Sequence, residues 1–151
     1  MLSSGDQEPA ILLFDDKGGL MIQQRLKIYI PIIVLLFAIG LPTRITPNTY
    51  PFWYTTYAGD FIWAMMIFFL YRLFFRWQPI QAFLVALSTT YIIEITQLFN
   101  PLWLENLRSI KLIGLIIGYS FLWSDIVAYT AGISLGAIID IAVVSRIKNT
   151  D

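Results

Sequence analysis

Any chemistry this chain performs must come from carboxylates, arginines, hydroxyls, amides or backbone, because it contains no cysteine and no histidine. Thiolate nucleophiles, imidazole bases, Ser-His-Asp triads and the usual Cys/His zinc sites are excluded. The pair Gly18-Gly19 is isolated and makes no glycine-rich phosphate loop. No metal site and no cofactor is expected. The most informative residue is Glu94, within an apolar run and six residues before Asn100, hence ~9 Å inside the end of a helix. A carboxylate at that depth in a membrane is costly and faces the bundle interior with a partner. Gln97, three residues on, falls on the same helical face.

Further polar residues gather around this pair in the order of the chain. Asp60 and Asp125 open apolar runs, and Arg44 and Arg108 stand in the connections. Arginine prefers phosphate and carboxylate partners, often bidentate. A groove formed by Arg44, Asp60, Glu94, Gln97, Arg108 and Asp125 suits an anionic lipid or a lipid-linked phosphate. In an enzyme acting on such lipids, Glu94 or Asp125 is the candidate general acid or base. Each residue also has a plainer reading. Asp60 and Asp125 can complement helix N-termini, with Ser124 capping the last helix. Arg44 and Arg108 can anchor the interface, and Glu94 can be the structural partner of one arginine. The stripe Ala128-x-x-x-Gly132-x-x-x-Gly136 serves close helix packing, within the bundle or in a dimer.

These residues need apolar elements to hold them. Of the 151 residues, 58% are hydrophobic and 13% charged, against roughly a quarter charged in a soluble domain. A small domain cannot bury that apolar surplus, and a lipid solvent resolves the conflict. Formal net charge is zero, and no basic stripe exists to neutralise a nucleic acid. The fold class is therefore an all-α integral membrane bundle of about four transmembrane helices, a single domain over residues 25–148. The spans are read at about 26–41, 60–75, 80–99 and 125–145.

Pro31 is tolerated in the first turn of the first span, and Gly40-Leu41-Pro42 ends it. Residues 43–59 read as an aromatic loop at the membrane interface. Arg72 and Arg76 snorkel from the end of the second span, and Trp77-Gln78-Pro79 turns the chain into the third. Residues 101–123 read as an outer re-entrant or interfacial segment, since an apolar run of 12 residues is short for a span. Asp140 reads as solvated near the end of the last span. Residues 1–24 form a polar tail without signal-peptide character. Residues 1–20 are either dispensable or precede the natural start at Met21.

Positive charge sets the orientation. With four spans, one side holds Lys17, Arg25, Lys27, Arg72, Arg76, Arg146 and Lys148, and the other Arg44, Arg108 and Lys111. Both termini are thus expected in the cytoplasm, with the Glu94 groove facing outward. The expected partners are membrane lipids, with a homo-oligomer or larger membrane complex as the structural alternative. Acids clustered at one end do not line a path for an ion across the bilayer.

The motif order Gly40-Leu41-Pro42-Thr43-Arg44, then Tyr57-Ala58-Gly59-Asp60-Phe61-Ile62-Trp63-Ala64, resembles an uncharacterised bacterial membrane family, the domain of unknown function 2809. Glu94-x-x-Gln97 and Trp123-Ser124-Asp125-x-x-x-Tyr129-x-x-Gly132 continue the resemblance over roughly residues 28–140. More distantly the chain is similar to the VanZ-like family, associated with teicoplanin resistance. That family shows Glu-x-x-Gln, then Arg, then Asp-x-x-x-Asn-x-x-Gly, matched here by Glu94, Gln97, Arg108, Asp125 and Gly132. Tyr129 stands where that family has Asn, and the gap from Arg108 to Asp125 is longer. The resemblance implies a role in the bacterial envelope and supplies no reaction.

Overall fold

The computed structural model describes residues 22–45, 49–51, 54–98, 102–110 and 122–150. All elements among the described residues are helical. They are α1 (Ile22–Ile45), a π-helical turn (Tyr54–Ala58), α2 (Gly59–Phe74), α3 (Pro79–Leu98), the short α4 (Leu102–Arg108) and α5 (Trp123–Thr150). Among the described residues, three stretches are long and apolar enough to cross a bilayer: Ile22–Thr43, Pro79–Leu98 and Trp123–Val144. The protein is a membrane-embedded helical bundle.

The second expected span takes a different form. Helix α2 has only 16 residues and packs against α1, α3 and α5. Its Ala64, Met65, Met66, Phe68 and Phe69 fill the core together with Ile133. Val34 and Leu35 on α1, Ile92 on α3 and Val127 and Ile138 on α5 are exposed instead, as lipid-facing side chains are. An interior helix does not meet the full lipid thickness along its own surface, so its length is not set by that thickness. The π turn runs directly into Gly59, giving one continuous helical segment of ~30 Å.

Small residues set the spacing. A Cβ on Gly132 would collide with the Phe61 main chain, and one on Gly136 would lie 3.1 Å from the Phe68 ring and 3.2 Å from Met65 Cγ. Ala128 is also buried. Gly132 and Gly136 on α5 are therefore packed against α2 within the chain. At the α1–α2 crossing, Gly59 lies so close that a Cβ would stand 2.7 Å from Thr43 Oγ1. Hydroxyls satisfy themselves locally: Ser88, Thr89 and Thr130 each bond the carbonyl four residues back, at 2.8, 2.8 and 2.7 Å. Tyr71–Thr89 at 2.8 Å and Tyr91–Thr130 at 2.6 Å tie α2 to α3 and α3 to α5.

Several expectations are corrected. Helix α1 does not stop at Pro42 but runs on to Ile45. Thr43 Oγ1 donates to Gly40 O at 2.7 Å and joins the final turn to the body of the helix. The aromatic loop is partly helical, with residues 54–58 in the π turn; Phe52 and Trp53 lie outside the described residues. Helix α5 begins at Trp123, so Ser124 lies inside the helix and does not cap it. Residues 1–21 and 111–121 lie outside the described residues. The described part of the expected outer segment, α4, exposes Leu102 and Trp103.

The largest correction concerns Asp140 and Arg72, read as solvated and snorkelling. Both are buried, Asp140 with 1% of its surface exposed. Arg72 Nε donates to Asp140 Oδ2 at 2.8 Å, and Tyr29 OH donates to Asp140 Oδ1 at 2.5 Å. Arg72 Nη1 also donates to the Trp77 carbonyl. Arg25 Nη2 donates to the Arg72 and Phe75 carbonyls. An arginine from α1 thus occupies the C-terminal end of α2, where the last carbonyls lack helical donors. The Arg72 guanidinium lies 5.7 Å from the Tyr29 ring centroid. This network clamps α1, α2, α5 and the α2–α3 turn at one end of the bundle.

Candidate functional site

The second polar cluster lies at the other end. Asp125 and Asp140 sit on one helix, ~22 Å apart by helical rise, and the layer between is apolar, with Phe68, Phe69 and Ile133 fully buried. Glu94 has no exposed surface. Its position on α3 follows from burial at Ala82, Ala86, Thr90, Glu94 and Gln97, a stripe recurring every three or four residues that faces the bundle.

Among the described residues, three neutral donors reach the Glu94 carboxyl group. Tyr129 OH donates to Oε2 at 3.1 Å, Gln97 Nε2 donates to Oε2 at 3.2 Å, and Leu122 N donates to Oε1 at 3.1 Å. Leu122 immediately precedes α5, so Glu94 places an acceptor at that helix's N-terminus, where backbone N–H groups lack helical partners. Ser124 Oγ donates to Asp125 Oδ1 at 3.1 Å.

Asp125 is buried and Asp60 is half-buried in the first turn of α2. Asp60, Glu94 and Asp125 all act electrostatically on the Tyr129 hydroxyl. Three acidic residues from three helices therefore lie within electrostatic reach of one phenol, and Glu94 alone among them is shown bonded to it. Of the six residues expected to form a groove, Glu94 and Gln97 are bonded to one another, and Asp60 and Asp125 act electrostatically on the same hydroxyl as Glu94. The side chains of Arg44 and Arg108 lie outside the described residues. The Arg44 backbone is in the last turn of α1, one residue after Thr43, whose hydroxyl lies against Gly59 beside Asp60.

Tyr129 is the residue that reasoning on types and spacing passed over. Its signal was present: it follows Asp125 by four residues, on the same helical face. Tyr129→Phe should leave the fold intact, remove one donor to Glu94 and cost about 1 kcal/mol, measured by thermal denaturation in detergent.

Bundle and cluster together define a class: a small polytopic membrane protein with a buried carboxylate cluster at one end. Residues 49–133 match the family model described as Protein of unknown function (DUF2809), and the chain belongs to that family. The matched segment holds Asp60, Glu94, Gln97, Asp125 and Tyr129; Arg25, Tyr29 and Asp140 lie outside it. No solved structure matches this chain.

Proposed function

We propose that the Glu94 end of the bundle binds a phosphate-bearing lipid, an anionic lipid or lipid-linked cell-envelope precursor, at the outer face of a bacterial cytoplasmic membrane. The observation that carries this reading is a buried polar cluster at one end of the bundle, Glu94 bonded to Tyr129 and Gln97 with Asp125 buried nearby on α5. The chain supplies Arg44 and Arg108 in the segments adjoining this cluster. Their guanidiniums take the phosphate. Glu94 is too deep to touch a ligand; with Gln97 and Tyr129 it fixes the frame, while the more superficial Asp60 and Asp125 orient the headgroup. The exposed Leu102 and Trp103 of α4 give the acyl chains an apolar surface. The charge asymmetry supports an outward-facing site with both termini cytoplasmic, and the VanZ-like motif order supports an envelope role.

Native mass spectrometry of the gently solubilised protein tests this. A discrete anionic lipid should remain on the wild type and fall at least tenfold in Arg44→Ala and Arg108→Ala. Equal, non-selective lipid in all three refutes the proposal.

A catalytic reading has one specific support, the Tyr129 hydroxyl within electrostatic reach of three acidic residues. In that case Asp125 is the general acid or base acting on the bound lipid, and Asp125→Asn abolishes turnover while lipid binding survives.

A further inference from the structure

Helix α1 is held to the bundle in two different ways, on either side of a proline. Pro31 lies nine residues after Ile22, inside α1 rather than in its first turn. It has no N–H for the Lys27 carbonyl and its ring crowds that carbonyl, so the helix lacks one rung there. Sharp bends in helices are sited at such prolines. Past Pro31 the two helices meet at close quarters. A Cβ on Gly40 would stand 3.0 Å from Ile62 Cγ2, and Thr43 presses on Gly59 so that a Cβ there would be 2.7 Å from Thr43 Oγ1. Leu36 is buried between Pro31 and this crossing. That half of α1 cannot leave α2 without opening a close-packed contact.

Before Pro31 the attachment is made by long side chains. Between Ile22 and Ile30 the buried residues are Arg25 and Tyr29, while Ile22, Gln23, Leu26, Lys27 and Ile30 are exposed. Arg25 Nη2 donates to the Arg72 and Phe75 carbonyls, and Tyr29 OH donates to Asp140 Oδ1. The Tyr29 ring lies 6.0 Å from the Phe69 ring and 5.7 Å from the Arg72 guanidinium. Hydrogen bonds at the end of a bundle exchange for water at small net cost, so this half is the more easily released. We propose that residues 22–30 form an arm hinged at Pro31 and latched by Arg25 and Tyr29. Released, the arm swings away from α2 and α5 and opens the Arg72–Asp140 pair to water at the end opposite Glu94. Two side chains thus set the balance between a closed and an open state. The device is independent of any ligand at the Glu94 end.

The chain has no cysteine, so paired spin labels on introduced cysteines report the arm without interference. Gln23→Cys with Ile80→Cys places one label on the arm and one at the start of α3, both at exposed positions. Ile39→Cys with Ile92→Cys, also exposed, places a control pair past the hinge. An arm of ~13 Å turning through about 20° moves its tip by about 5 Å, which double electron–electron resonance in nanodiscs resolves. The otherwise unaltered protein should show one dominant distance for each pair. Tyr29→Phe should raise a second, longer arm distance about tenfold, the weight of one hydrogen bond to a carboxylate. Arg25→Ala/Tyr29→Phe should make that distance the larger population, and adding Pro31→Ala, which restores the missing N–H, should suppress it. The control pair should stay unchanged throughout. An unchanged arm distance in Arg25→Ala/Tyr29→Phe overturns the latch. A long distance that survives Pro31→Ala overturns the hinge, and both pairs broadening together would mean general loosening of the bundle and overturn the proposal as a whole.

Discussion

Asp140→Asn should destabilise the bundle by about 3–5 kcal/mol, because it removes one member of a buried ion pair and leaves the other charged. The carboxylate is 1% exposed and accepts from Arg72 on α2 and Tyr29 on α1. Asparagine keeps the shape and can still accept from Tyr29, so the loss isolates the charge. Arg72→Met should also be strongly destabilising, since it strands Asp140 and frees the Trp77 carbonyl. The double variant Arg72→Met/Asp140→Leu should cost less than the two single changes added together, because no unpaired charge remains. A double-mutant cycle by reversible denaturation in detergent measures this. Strict additivity would show that the pair carries no coupling.

Gly132→Leu should abolish folding, and Gly132→Ala should be markedly worse than Gly136→Ala. The difference lies in what each new Cβ meets. At Gly132 it is the Phe61 main chain, and at Gly136 the Phe68 ring and the Met65 side chain. A flexible methionine can move by a few tenths of an ångström, so Gly136→Ala should cost about 1 kcal/mol. A collision with backbone is relieved only by moving α5 away from α2, which opens the core around Phe68 and Ile133. Thermal denaturation of the two alanine variants gives the ranking, and equal values would mean that α5 is not pressed against α2 at Phe61.

Local pattern carried much of this fold. Apolar run length revealed α1, α3 and α5, and the Glu94–Gln97 spacing placed both side chains on one face because three residues nearly close a helical turn. Hydropathy alone could not show that α2 is the interior helix, since lipid-facing and core-facing apolar residues look alike in composition. It could not pair Asp140 with Arg72 and Tyr29, which stand 68 and 111 residues away in the chain. Asp140 near the end of an apolar run reads as solvated until the helices supplying its partners are placed. Ser124 fits the preference for hydroxyls at helix starts, but the N–H of Leu122 goes to Glu94, a residue from another helix. Long-range partners of charged groups were illegible, and same-helix spacing was legible, even where the signal at Tyr129 was passed over.

The most direct test of ligand binding at the Glu94 end is photocrosslinking with a diazirine-bearing anionic lipid, read by peptide mass spectrometry. Adducts should concentrate on α4 and on residues 122–129 at the start of α5, be competed by unlabelled anionic lipid, and disappear in Arg108→Ala. Adducts spread evenly over the exposed apolar faces of α1, α3 and α5, and insensitive to competition, would contradict a lipid site there and leave the carboxylate cluster a structural joint between α3 and α5.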